Sequence, residues 1–312
     1  MSNVYKKYKI AKMNLIYKYS EKVERLRRTN SNLDSFVTIN DFLANEPSLG
    51  PNADPGEIYY SFSKTENISH YFEILIKELN FTKVVCIPKY QLKHGPNYIT
   101  ENTIQYNTTR DELIIPFNLI KELQKCNLKR FIYIYFDIIW EQRNIGHSNM
   151  ILIDQVNKTI ERFEPHGQNM HQDKNKKMLK NIDSKFSNNI LSYLGLKDYT
   201  YISPVDISPK KGVQLKVDAY NGMCLTYSMI YLQLRIMNPD IDQADIIKYL
   251  MKKPKAELYD IVLRYAKFVE DKLKENTKNI VYQNNILYTK TFHKLMKFIV
   301  VNKRNEIDII EY

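Results

Sequence analysis

The run Phe131–Ile139, FIYIYFDII, constrains the fold more than any other stretch of the chain. Aromatic and β-branched residues fill it almost without interruption, the pattern of a central strand covered on both faces. Directly after it, Gly146–Gly167 (GHSNMILIDQVNKTIERFEPHG) reads as two strands joined by a tight turn at Val156-Asn157-Lys158, with Pro165 and Gly167 breaking the second strand. The three segments together predict an antiparallel meander.

In such a hairpin, the first residue of one strand and the last of the next share one open end. That places His147, which opens the first strand, beside Glu164, which closes the second, although 17 positions separate them. A histidine oriented by a carboxylate is two parts of a hydrolytic triad. The third part is a nucleophile, and the segment GVQLKVDAYNGMCLTYSMIYLQLRIMNP supplies Cys224. From Met223 to Met237 the chain is largely apolar, so a helix there is buried rather than amphipathic, and Asn238-Pro239 stops it. Asn221 or Asp218 can cap its start. Cys224 then lies in the first turn, where unpaired N–H groups and the positive dipole end favour a thiolate.

Composition bounds the rest. The chain has 312 residues, 44% hydrophobic and 26% charged, with only eight Gly and 11 Pro. Those values fit an ordinary globular protein rather than a disordered one. No run approaches the ~18 apolar residues of a membrane span, and no signal peptide is evident. Three cysteines, odd in number and far apart, point to a reducing compartment, with Cys86 and Cys126 as packing residues. An intracellular protein is expected. A net charge of +11 would suit a nucleic-acid partner, but the basic residues are dispersed and no nucleic-acid module is recognisable, so that partner is not favoured. His166 and His171 are too sparse for zinc spacing; no metal or cofactor is expected.

Organisation follows from breakers and periodicity. Residues 1–29 read as a basic amphipathic helix, and residues 29–55 as a linker with a short helix around Ile39–Ala44. A catalytic domain is expected over 56–240, with strands at Glu57–Phe62, Lys83–Pro88, Leu113–Pro116 and Tyr199–Ile202. Helices are expected at Ile68–Leu79, Phe117–Cys126 and Met178–Leu194. Turns are signalled at Ser203-Pro204 and Ser208-Pro209. Residues 241–312 form a C-terminal extension, helical over Ile241–Met251 and Lys255–Lys274, with a strand at Phe298–Val301.

Each candidate residue has a plainer reading. Cys224 could be packing, His147 an edge histidine, and Glu164 a surface carboxylate. His166 could serve as the base or be a loop residue. Gln214, upstream of Cys224, could donate to an oxyanion or end a strand.

The order His147, Glu164, Gln214, Cys224 resembles the adenain and SUMO-protease clan of cysteine peptidases, to which the YopJ-type acetyltransferases belong. The phrases Phe163-Glu164-Pro165-His166-Gly167 and Asn221-Gly222-Met223-Cys224-Leu225, with Asn238-Pro239, are similar to uncharacterised proteins of large DNA viruses. The likeness runs over Phe131 to Pro239. It implies an α+β papain-like fold, with a central mixed or antiparallel sheet against a buried helix headed by the nucleophile. It further implies His147 as base, Glu164 as its acidic partner, Gln214 as oxyanion donor and Cys224 as nucleophile. Three departures stand out. Ser148 occupies the position where many relatives have Trp, Met223 and Leu225 flank the cysteine in place of Asp and Gly, and Gln214 precedes Cys224 by more than is usual.

The expected function is a thiol hydrolase acting on a peptide or isopeptide bond of a protein substrate, a ubiquitin-like or viral structural protein. An acetyltransferase on the same framework, or an inactive protein- or nucleic-acid-binding module, are the alternatives. If viral, the chain would reside in host cytoplasm or virion.

Overall fold

The computed structural model describes residues 36–48, 84–88, 90–94, 97–101, 103–140, 145–168, 173–217, 223–276 and 297–311. The expected helix over 1–29, strand Glu57–Phe62, helix Ile68–Leu79, the Asp218 or Asn221 cap and His171 lie outside these residues.

Chain order begins with α1 (Ile39–Phe42), β1 (Val85–Cys86), β2 (Tyr90–His94), β3 (Asn97–Glu101), β4 (Thr103–Asn107), β5 (Glu112–Pro116) and α2 (Leu119–Lys125). The meander is β6 (Phe131–Trp140), β7 (Ile145–Asp154) and β8 (Thr159–Phe163). Next come α3 (Asp173–Lys185), continued by a π turn over Phe186–Ile190 into α4 (Leu191–Tyr193), then β9 (Thr200–Ile202), α5 (Pro204–Ile207) and α6 (Val213–Val217). The chain closes with α7 (Cys224–Met237), α8 (Gln243–Lys252), α9 (Lys255–Asn276), β10 (Lys297–Val301) and β11 (Ile307–Glu311).

A nine-stranded mixed sheet runs β11-β10-β5-β4-β6-β7-β8-β9. The short β1 pairs parallel with the start of β6, and β4 parallel with its remainder. The fold is α+β. The FIYIYFDII run is its centre because successive side chains alternate between faces. Phe131, Tyr133 and Tyr135 enter one core cluster, and Ile132, Ile134, Phe136 and Ile138 the other. The first cluster is closed by α7, α8 and α9, and the second by α2, α3 and the π turn. Helix α7 is buried along all 14 residues because it lies between β7 on one side and α8 and α9 on the other. Phe163 of β8 stacks on Tyr231 at 4.1 Å, and the buried Arg235 guanidinium donates to Glu161 at 2.9 Å. Those two contacts lock the helix to the meander.

The N-terminal segment is moored to the far end of the same helix. Asn238, the C-cap of α7, accepts from the Val37 N–H at 2.7 Å and donates to the Val37 carbonyl at 2.9 Å. Arg264 of α9 donates to the Leu43 and Glu46 carbonyls. At the other end of the chain, β10 pairs antiparallel with β5, so residues on both sides of position 240 contribute strands to one sheet.

Several expectations need correction. Ser203-Pro204 does not simply turn the chain: Ser203 caps α5 in a capping box with Asp206, with Pro204 at the first helical position. Gln214 lies in α6 and ends no strand. The reading of Cys86 and Cys126 as separate packing thiols is overturned, because they form a disulfide with Cα atoms 5.6 Å apart. Cys86 ends β1 and Cys126 caps α2, and the parallel pairing of β1 with β6 brings these distant positions together. Cys224 takes no part in a disulfide.

Candidate active site

The site forms where two strands part. β8 pairs with β7 only from Met150–Phe163 to Asp154–Thr159, whereas β7 continues back to Ile145. Pro165 follows Glu164 and has no N–H to extend the ladder. Cys224, the first residue of α7, stands at the edge thus opened. The Ser148 N–H, which would otherwise face a neighbouring strand, donates to Cys224 Sγ at 3.4 Å. This position explains how the thiol reaches His147. Ser148 and Met150 alternate toward α7, while His147 pairs with Ile138 and projects from the opposite face. A group at the open edge meets a ring from the far face; one packed flat on the α7 side would not.

His147 serves two partners. Its Nε2 lies 2.6 Å from Glu164 Oε1, and its side chain also hydrogen-bonds the Cys224 thiol, for which Nδ1 is the nitrogen left. Glu164 Oε1 further accepts the His166 main-chain N–H at 2.9 Å, and Arg162 Nη1 lies 3.9 Å from Oε2. Arg162 alternates onto the same face as Glu164. It is fully buried and held by Asn149, Asp183 and Tyr201.

All of these groups are buried, which by itself disfavours their charged forms. Burial pushes the His147 ring down, but the Glu164 carboxylate and the Cys224 side chain outweigh it and raise the ring to about 10. Burial likewise pushes the Glu164 carboxyl up, yet His147, His166 and Arg162 hold it low, at about 2. The two shifts agree in sense: the pair is an imidazolium and a carboxylate across the neutral range. Tyr135, whose hydroxyl is 2.6 Å from Ser148 Oγ, is driven by burial and by Asp137 far toward the neutral phenol.

Gln214 is delivered to the same corner by an unusually close contact of two backbones. Its N–H donates to the Pro165 carbonyl at 3.0 Å, and the Gly212 N–H to the His166 carbonyl at 2.8 Å. A Cβ on Gly212 would stand 2.3 Å from the Pro165 oxygen and 2.4 Å from the Gly167 nitrogen. Gly167 is left-handed, with φ +79°, and meets Pro209 and Gly212 as closely. Only glycine fits either place. The Gln214 side chain is buried, and its Oε1 accepts no hydrogen bond among the described residues.

All four residues singled out in the sequence thus gather around the Glu164 turn. Sequence reasoning missed the Ser148 N–H on the sulfur, the buried Arg162 and the placement of His166. Arg162 was discoverable, because it shares the alternation that put Glu164 on its face. His166 was not: the Pro165 break suggests that the chain leaves the site, but it turns back, and the His166 ring stacks on His147 at 4.3 Å and 10°.

The fold also gathers what linear spacing separated. The donor atoms of His147, Glu164 and His166 lie within 4.8 Å of one another, a grouping that could hold a metal ion. The stack opposes this. Each imidazole lone pair lies in its ring plane, and at Zn–N bonds of about 2.0–2.1 Å an ion in one plane is out of reach of a parallel ring 4.3 Å away. One ring would have to rotate out of the arrangement observed.

No family model matches the chain. Over 229 residues it is 25% identical to a protein of Acanthamoeba polyphaga mimivirus named as an ankyrin repeat protein, the match covering 65% of this chain. The chain spans about 30% of that relative's length. Ankyrin arrays repeat paired helices every ~33 residues, whereas the described residues here build a nine-stranded sheet. No described helix is long and apolar enough to cross a membrane.

Proposed function

We propose that the chain is a thiol hydrolase of the adenain and SUMO-protease kind, with a papain-like arrangement of sheet and nucleophile helix. The observation that carries the reading is that one buried imidazole hydrogen-bonds both the Cys224 thiol and the Glu164 carboxylate. His147, as the imidazolium that Glu164 stabilises, holds the proton given up by the thiol, which leaves the thiolate poised beside it. The thiolate adds to an amide or isopeptide carbonyl carbon. His147 then returns the proton to the departing amine, leaving a thioester on Cys224. Water, deprotonated by His147, attacks the thioester, releasing a carboxylate and restoring the thiol. The Gln214 amide and the main-chain N–H at the head of α7 are the donors assigned to the oxyanion.

The substrate is proposed to be a protein. The partial likeness to a protein named for ankyrin repeats, a protein-binding architecture, fits such a partner.

The test compares the full chain with its Cys224→Ala variant on quenched-fluorescence peptides and on amide conjugates of ubiquitin-like proteins. Cleavage by the wild type alone is the expected result; equal turnover by both would end the reading. Parallel incubation with acetyl-CoA separates the acyltransferase alternative, which requires acetyl-Cys224 to accumulate.

A further inference from the structure

We propose that His166 is a positioning residue for Cys224 chemistry, its ring fixing the plane in which the His147 imidazole meets thiol and carboxylate together. This rests on the reading of Cys224 and His147 as nucleophile and base. An imidazole with two simultaneous partners needs a defined plane, because both nitrogens direct their bonds within it. The side chain does not supply that plane by itself, since the terminal torsion of histidine is broad. The Glu164 contact at Nε2 is a single point and leaves the ring free to swing about it.

A flat surface against the ring removes that freedom, and the His166 ring lies 4.3 Å away and within 10° of parallel. His166 is itself held through both of its main-chain polar groups. Its N–H donates to Glu164 Oε1 at 2.9 Å, and its carbonyl accepts from the Gly212 N–H at 2.8 Å. The left-handed Gly167 follows directly. One carboxylate oxygen thus orients the base through its ring and locates the stacking ring through its backbone.

The experiment follows alkylation of Cys224 by iodoacetamide from pH 5 to pH 9, read on the Cys224 peptide by mass spectrometry. The proteins are the wild type, His166→Ala, His166→Asn and His166→Phe, with a thermal melt for each. Alanine and asparagine remove the ring, the second serving if the first does not fold. Phenylalanine keeps a flat ring without nitrogens.

The expected result is a wild type that labels readily at pH 6. Loss of the ring should slow labelling at that pH by at least roughly tenfold, the scale of a small misplacement of a reacting group, and His166→Phe should restore most of the rate. Unchanged labelling without the ring overturns the inference. So does a folded His166→Phe as slow as the ring-free variants. A wild type that labels only as an ordinary thiol would instead refute the nucleophile assignment, and the inference would fall with it.

Discussion

Replacing Glu164 by Gln probes the electrostatic centre of the site with almost no change of shape. The glutamine oxygen can still accept from His147 Nε2, but the negative charge is gone. At the 2.6 Å separation observed, two unit charges attract by about 6 kcal/mol in an effective dielectric of about 20. Desolvation offsets part of that, and losing one partner of a buried pair costs about 3–5 kcal/mol. Because a neutral hydrogen bond survives, a loss near the lower end is expected, about 3 kcal/mol.

That loss must depend on pH in a defined sense. The Glu164 carboxyl lies below its ordinary 4.5, so its share of the stability is present above that pH and disappears as pH falls toward 2. The His147 ring lies above its ordinary 6.5, so its share is complete below that pH and disappears as pH rises toward 10. The difference between wild type and Glu164→Gln should therefore be largest between pH 4.5 and 6.5 and shrink on either side. Urea unfolding at a series of pH values measures it. With the carboxylate gone, burial dominates at His147 and the ring becomes neutral at lower pH, so Cys224 alkylation should move to more alkaline conditions. A stability difference that stays constant from pH 5 to pH 10, or alkylation that keeps its wild-type profile, would refute the ion-pair reasoning.

Two further substitutions test how the site is held. Gly212→Ala would drive a methyl group into the Pro165 carbonyl and the Gly167 nitrogen. Backbone there has to move, at a cost of about 1–3 kcal/mol or more, and hydrolysis should fall further than stability alone explains; a wild-type melt with wild-type activity would contradict the contact. Asn238→Ala removes both bonds to Val37 and should cost about 1–3 kcal/mol in urea unfolding. Proteolysis should then begin at residues 36–48, and an unchanged first cleavage site would count against Asn238 as the mooring.

The parts of the fold legible in the sequence are those with strong local patterning. The alternation of FIYIYFDII and of the hairpin fixed β6, β7 and β8, and the largely apolar run from Met223 to Met237 marked α7 as buried before any neighbour was known. Strands β2, β3 and β4 went unread because YQLKH, NYITE and TIQYN mix polar and β-branched residues without a clear period. Edge strand β11 was missed for a related reason: Ile307 and Ile309 are exposed, so IDIIE lacks the one-sided polarity that a half-buried strand would show. The site was legible as far as strand and helix ends determine it. Cys224 begins α7 and Glu164 directly follows β8, whereas His147, expected to open its strand, is the third residue of β7. The Gly167–Gly212 contact and the His166 stack depend on how loops return across space, and no spacing in the chain encodes that.

The link between Cys86 and Cys126 closes a ring of chain that takes in β2, β3, β4, β5 and α2, while His147, Glu164, Gln214 and Cys224 all lie outside it. A break in the polypeptide anywhere between residues 87 and 125 would therefore leave the two fragments joined. The half that carries the thiol would still travel with the half that carries β1, and the cut would show only after reduction.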